Sequence, residues 1–183
     1  RALEYLQPWS DNYQIQSHIF AKVNFFSGTC YETQNQYNNA INSYLKYLEA
    51  NPKILDSMIY EKIGDIYQIS NDQANAILYY EKAINADNSE DKSAIKIKIG
   101  QIYSDQYDFT NAIRVFMEVH DTSPNEYTRA EMNLFAGQAY LSLGLPEQAY
   151  ARFQESVQNY PKSFDTYSGL VALVEAGIPV DEF

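Results

Sequence analysis

The chain has 183 residues, 45% of them hydrophobic and 15% aromatic, with a formal charge of −11 and a pI near 4.5. Such a length and apolar content exclude a disordered tail and allow one ordinary core. The acidity argues against phosphate-backbone binding and docking on anionic membranes, both of which need a basic face, so no nucleic-acid partner is expected. No direct membrane insertion is expected either, because the longest apolar run, Leu170 to Val174, is far too short to span a bilayer.

Residues 1–20 read as a lead-in helical segment, with Ala2, Leu3 and Leu6 as the tail of a preceding helix and Pro8 set against that reading. A start at Arg1 in place of Met leads us to expect a processed product or an excised fragment. From residue 21 the chain repeats itself. Gly28, Gly64, Gly100 and Gly137 stand 36, 36 and 37 residues apart. Three residues after each comes a tyrosine: Tyr31, Tyr67, Tyr103 and Tyr140. Twelve after each comes Ala40, Ala76, Ala112 or Ala149, and sixteen after each an aromatic, Tyr44, Tyr80, Phe116 or Phe153. Pro52, Asn88, Pro124 and Pro161 close the units.

Four units follow, at 21–56, 57–92, 93–129 and 130–162, with a partial fifth at 163–183. Each reads as two helices. In the third copy Ile95, Ile99, Ile102 and Tyr103 follow helical spacing, and Ala112, Ile113, Phe116 and Val119 make the next apolar stripe. Asp108, and Asp72 in the second copy, are placed to cap the second helices, and the fourth copy turns on Gly144-Leu145-Pro146. No segment alternates with period two, so an all-α fold is expected. Glycine inside a helix costs about 1 kcal/mol against alanine. Its recurrence predicts that another backbone approaches there, with the alanine column as its partner and the aromatics filling the space between helices. The fifth copy, Ser163 to Ala176 followed by Gly177-Ile178-Pro179, has only a first helix, leaving Leu170, Leu173 and Val174 without a partner helix. A piece of a longer solenoid, or self-association through this open end, is therefore expected.

These columns resemble the tetratricopeptide repeat family, over roughly residues 21–176. The resemblance implies a right-handed α-solenoid of antiparallel helix pairs. Two departures stand out. The bulky residue that family carries four before the glycine is Tyr60 in one copy but Asn24, Lys96 and Asn133 elsewhere, and the period exceeds the family's usual 34 residues. The surplus is expected between units, since the glycine-to-alanine distance is constant.

The resemblance further implies that the first helices line a concave groove for a peptide. The residues it projects there are Lys22, Phe25, Thr29 and Glu32 from the first unit, and Met58, Glu61, Asp65 and Gln68 from the second. The third unit supplies Ala94, Ile97, Gln101 and Ser104, and the fourth Glu131, Leu134, Gln138 and Leu141. Phe25 with Met58, and Ile97 with Leu134, form two apolar spots among acids and amides, which favours a neutral or basic peptide or protein ligand. The family's clamp for chaperone C-termini is absent, because Phe25, Thr29, Lys62, Ala94 and Lys98 stand at its places.

Nothing in the sequence builds a catalytic, metal or cofactor site. His18 and His120 lie in different parts of the repeat array with no cysteine ligand nearby, and Cys30 has no orienting histidine. Asp87, Ser89 and Asp91 mimic the start of a calcium loop, but Lys92 and Lys98 stand where the glycine and closing glutamate belong. Gln154-Glu155-Ser156 resembles the acid-bearing triplet of lytic transglycosylases without the glycine-rich segment that follows it there. A non-catalytic interaction scaffold is expected. The alternative is the repeat region of a larger bacterial cell-envelope protein, either a transglycosylase-type enzyme or an outer-membrane assembly factor, as the tail and Tyr160-Pro161-Lys162-Ser163 resemble. That resemblance favours the envelope over the cytoplasm.

Overall fold

The structure, a computed structural model, describes residues 2–10, 17–50, 53–86, 89 and 91–180. Among these residues all regular structure is helical. The chain forms two compact units, Arg1–Asn88 and Ser89–Phe183. The first holds α1 (Ala2–Ser10), α2 (Ser17–Thr33), α3 (Tyr37–Glu49), α4 (Asp56–Ile69) and α5 (Gln73–Ala86). The second holds α6 (Ser93–Asp105), α7 (Phe109–Thr122), α8 (Glu126–Ser142), α9 (Pro146–Asn159) and α10 (Phe164–Glu175). The pairs α2–α3, α4–α5, α6–α7 and α8–α9 pack together, α1 packs on α2, and α10 packs on α8 and α9. Pro8 lies inside α1, which buries none of its residues. Pro52, Asp87 and Asn88 lie outside the described residues.

One turn design recurs at the end of every repeat's first helix. Asn35, Asn71, Tyr107, Gly144 and Gly177 all have a left-handed φ, between 57° and 73°. The next residue's N–H returns to the carbonyl five back: Gln36 to Tyr31, Asp72 to Tyr67, Asp108 to Tyr103, Leu145 to Tyr140 and Ile178 to Leu173, each at 2.9 Å. The left-handed residue bonds three back, at 2.9–3.0 Å. These two bonds satisfy carbonyls that the helix end would otherwise leave open. In the first four turns the donor of the longer bond also starts the second helix. Asp108 Oδ1 accepts from Asn111 N, and Asp72 Oδ1 from Asn75 N, both at 3.2 Å, as the sequence predicts for caps. Pro146 opens α9 at a position where no N–H is needed. The tyrosine column thus has a backbone duty as well as a packing one.

The glycine column differs from expectation in what approaches it. A Cβ on Gly28 would meet the Tyr44 ring at 2.4 Å, on Gly64 the Tyr80 ring at 2.6 Å, on Gly100 the Phe116 ring at 2.4 Å and on Gly137 the Phe153 ring at 2.3 Å. The partner of each glycine is therefore the aromatic sixteen residues on, not a backbone. The alanines, all fully buried, fit beside it. Each ring occupies a notch that only a missing side chain leaves. Phe153 is also approached by α10, where a Cβ on Gly169 would meet it at 2.5 Å.

The places where the family's bulky residue is missing are handled differently in each repeat. Asn24 is fully buried and its Nδ2 donates to Phe20 O at 2.9 Å. Asn133 is fully buried, and neither atom of its side-chain amide is hydrogen-bonded among the described residues. Lys96 reaches Glu118 at 2.6 Å.

Two stability outcomes follow. Gly137→Ala should destabilise by about 1–3 kcal/mol, opposite in sign to alanine's helix preference, because the Phe153 ring cannot yield. Chemical denaturation checks this, and adding Phe153→Leu should remove most of the clash. Tyr107, 81% exposed at φ 60°, should gain about 0.5–1 kcal/mol on change to Asn, measured as a raised midpoint in the same experiment.

Candidate interaction face on the first helices

The projected residues fall into two different environments. In the first unit the face of α2 and α4 is tied up internally. The Tyr44 hydroxyl donates to the Glu32 carboxylate, and Lys62 Nζ lies 3.0 and 3.2 Å from the two Glu32 oxygens. The Tyr80 hydroxyl lies 2.7 Å from both Asp65 Oδ1 and Gln68 Oε1. Burial, and after it the neighbouring carboxylates, push both phenols far above their usual range. Thr29 Oγ1 donates to Phe25 O at 3.1 Å, and Phe25 is half-buried against the Tyr47 and Phe26 rings at 6.3 and 5.3 Å. Met58 and Glu61 are half-buried, and Lys22 is exposed.

In the second unit the same positions are more open. Gln101 and Gln138 are exposed and, with Ser104, Asp105 and Ser142, rim a cleft of about 300 Å³ between α6 and α8. Its floor is aromatic: Phe116 and Phe135, with ring centroids 5.3 Å apart, and Phe109. The reason lies in the aromatic column. Where that column is tyrosine, its hydroxyl engages the residue four after the glycine, Glu32 or Gln68. Where it is phenylalanine, that residue is Ser104 or Leu141 and no such bridge is available. Ile97 is half-buried against the core around Phe116. Leu134 is buried, 8% exposed, in the cluster with Ala149, Phe153 and Leu173. The paired apolar spot expected of Ile97 and Leu134 is thus core packing, because Leu134 turns toward α9 and α10.

Glu131, at the start of the α8 face, is half-buried and forms no hydrogen bond or ion pair with the described residues. Burial, and then the negative charge of Asp165 on α10, push its carboxyl above the usual range. The fifth copy carries further residues on the same register. Aligned by its turn glycine, Leu170 stands at the glycine position of α10, so the four face positions are Phe164, Tyr167, Val171 and Val174. All four are apolar and 54–80% exposed, whereas Leu173 is fully buried. The offsets that project the other face residues reach these four when applied to the fifth helix, so the signal was in the sequence.

The other candidates sit in ordinary surroundings. Glu155 pairs with Arg152 at 2.7 Å and lies 3.1 Å from His120 Nε2, while His120 Nδ1 is 2.9 Å from Asp121. Cys30 is half-buried. Ser89 and Asp91 serve the backbone: Ser89 Oγ donates to Asp91 O, and Asp91 Oδ1 accepts from Ser93 N at the start of α6. Among the described residues no group of three or more His, Cys, Asp or Glu is placed to hold a metal ion, and no helix is long and apolar enough to cross a membrane.

Tetratricopeptide repeat models match residues 21–54, 59–90 and 136–163. With the glycine-notch columns and the stacked helix pairs, the chain belongs to the tetratricopeptide repeat family. Among solved structures it is similar to MamA, at 18% identity and TM-score 0.66 over 88% of this chain and 85% of that one. YrrB, described as a TPR protein with an unusual peptide-binding site, is 16% identical over 93% and 84%, with TM-score 0.64. The apo form of RapI gives TM-score 0.76 at 15% identity over 94% of this chain, which spans about half (52%) of RapI. Identities this low speak for the fold alone. No curated protein sequence matches the chain.

Glu131→Gln isolates the unpaired carboxylate. A carboxyl whose folded pKa lies above its unfolded value penalises the native state when ionised, and that penalty disappears as pH falls through the folded pKa. The variant should therefore melt at a higher temperature than the parent near pH 7 and at the same temperature below about pH 4, where the parent is itself protonated.

Proposed function

We propose that the protein is a non-catalytic interaction scaffold that binds a peptide or protein segment on the first-helix face of its second unit. The cleft of about 300 Å³ between α6 and α8 carries this reading. A phenylalanine floor ringed by amides and hydroxyls offers apolar burial and directional hydrogen bonds together, the combination that peptide sites use. The face of the second unit also carries the unpaired carboxylate of Glu131, which favours a neutral or basic ligand over an acidic one. YrrB lends support as a protein of the same fold described as having a peptide-binding site. The first unit is assigned the smaller share of binding, since Glu32, Lys62 and Asp65 already satisfy one another or a tyrosine hydroxyl.

Selection of phage-displayed random dodecapeptides on the whole chain tests the reading. Gln101→Ala with Gln138→Ala should weaken the recovered peptides about tenfold, while the exposed control Arg114→Ala leaves them unchanged. Failure to recover any binder, or binders indifferent to both glutamines, rejects the cleft.

A further inference from the structure

The turn between α2 and α3 departs from its own repeat in ways the fold does not use. Residues 34–39 read Gln-Asn-Gln-Tyr-Asn-Asn, so five of the six carry a side-chain amide. The left-handed φ accounts for Asn35. It does not account for the others. Gln36 stands where the next two copies have Asp72 and Asp108, which cap their second helices, yet the Gln36 side chain makes no cap bond to α3. Asn38 stands where those copies have Ala74 and Thr110, inside a helix that asparagine disfavours, and it forms no hydrogen bond among the described residues. A cleft of about 570 Å³ lies on this turn, lined by Asn35, Gln36, Tyr37, Asn38, Asn39 and, just past the end of α4, Ser70. From this we infer that the turn edge of the first unit is a binding site for a neutral saccharide.

The chemistry of the lining selects that class. None of the six residues is charged, in a chain of which 20% of residues are, so neither an anion nor a cation finds a counter-charge among them. None is aliphatic either, so a peptide side chain would find no apolar pocket. An amide presents a donor and an acceptor side by side, which matches two neighbouring hydroxyls of a sugar ring. Asn35, Gln36, Asn38 and Asn39 are all exposed, and the half-buried Tyr37 adds a ring for the apolar face of a sugar. Bonds inside the turn orient the amides before any ligand arrives. The Tyr37 hydroxyl donates to Asn35 Oδ1 at 3.1 Å, and Asn39 Nδ2 donates to Gln36 Oε1 at 3.0 Å. Those bonds leave Asn35 Nδ2 and Asn39 Oδ1 for a ligand, together with the whole amide of Asn38. The site lies in the other unit from the cleft between α6 and α8, and does not depend on it.

An array of neutral and acidic oligosaccharides, probed with the labelled whole chain, tests the inference. Neutral saccharides should be bound in preference to acidic ones. Asn35→Gly with Asn38→Ala removes two amides while suiting the left-handed turn and the helix, so the variant should melt no lower than the parent. It should weaken the bound saccharides about tenfold, measured by calorimetry. Gln101→Ala with Gln138→Ala should leave them unchanged. No saccharide bound above background, a preference for acidic ones, or binding indifferent to Asn35 and Asn38 would each overturn the inference and leave the peptide cleft of the second unit standing. Saccharide binding lost with Gln101 and Gln138 would place the sugar in that cleft and overturn the turn site. Selected peptides weakened by Asn35→Gly with Asn38→Ala, with no saccharide bound, would assign the amides to a peptide backbone and overturn the saccharide.

Discussion

An aromatic ring pressed into a glycine notch sets the geometry of each complete helix pair. The ring from the second helix occupies the volume a Cβ would need, at 2.3–2.6 Å from where that Cβ would stand. Contacts this close let two helices approach at the crossing and fix which face of each points inward. The buried alanine then completes the crossing, and the tight left-handed turn delivers the second helix in register. Glycine's intrinsic cost in a helix is small beside the burial of a whole ring, which is why the column recurs.

The same column also gives the two units different first-helix faces. Tyrosine and phenylalanine fill the notch equally well, but only tyrosine carries a hydroxyl out to the next turn of the first helix. In the first unit that hydroxyl finds Glu32 or Asp65 and Gln68, and the face becomes a network of satisfied polar groups. In the second unit Phe116 and Phe153 supply no hydroxyl, and a cleft floored by Phe116 opens between α6 and α8. A single oxygen per repeat therefore separates a face bridged by hydrogen bonds from one that holds an open cleft.

Much of the architecture is legible in the sequence because its columns are redundant. Four copies of the glycine, tyrosine, alanine and aromatic columns fix the helix pairs, and Asp72, Asp108 and Pro146 mark where second helices begin. The turn position was also present, as Asn35, Asn71, Tyr107 and Gly144, but Tyr107 hides it, being a residue that backbone sterics disfavour there. The surroundings of the projected residues were not legible: Gln101 and Gln138 line a cleft, whereas Leu134, on the same register, is drawn into the core by Leu173 of the helix that follows.

Periodicity alone determined the all-helical repeat, its register and the set of positions from which an interaction face could be drawn, because those depend on spacing that every copy restates. Only the tertiary structure decided that the glycine's neighbour is a ring rather than a backbone, which charged residues are already paired, and which apolar residues are left facing water. Those outcomes turn on contacts between residues a dozen or more apart, where one hydroxyl or one neighbouring leucine changes what remains free.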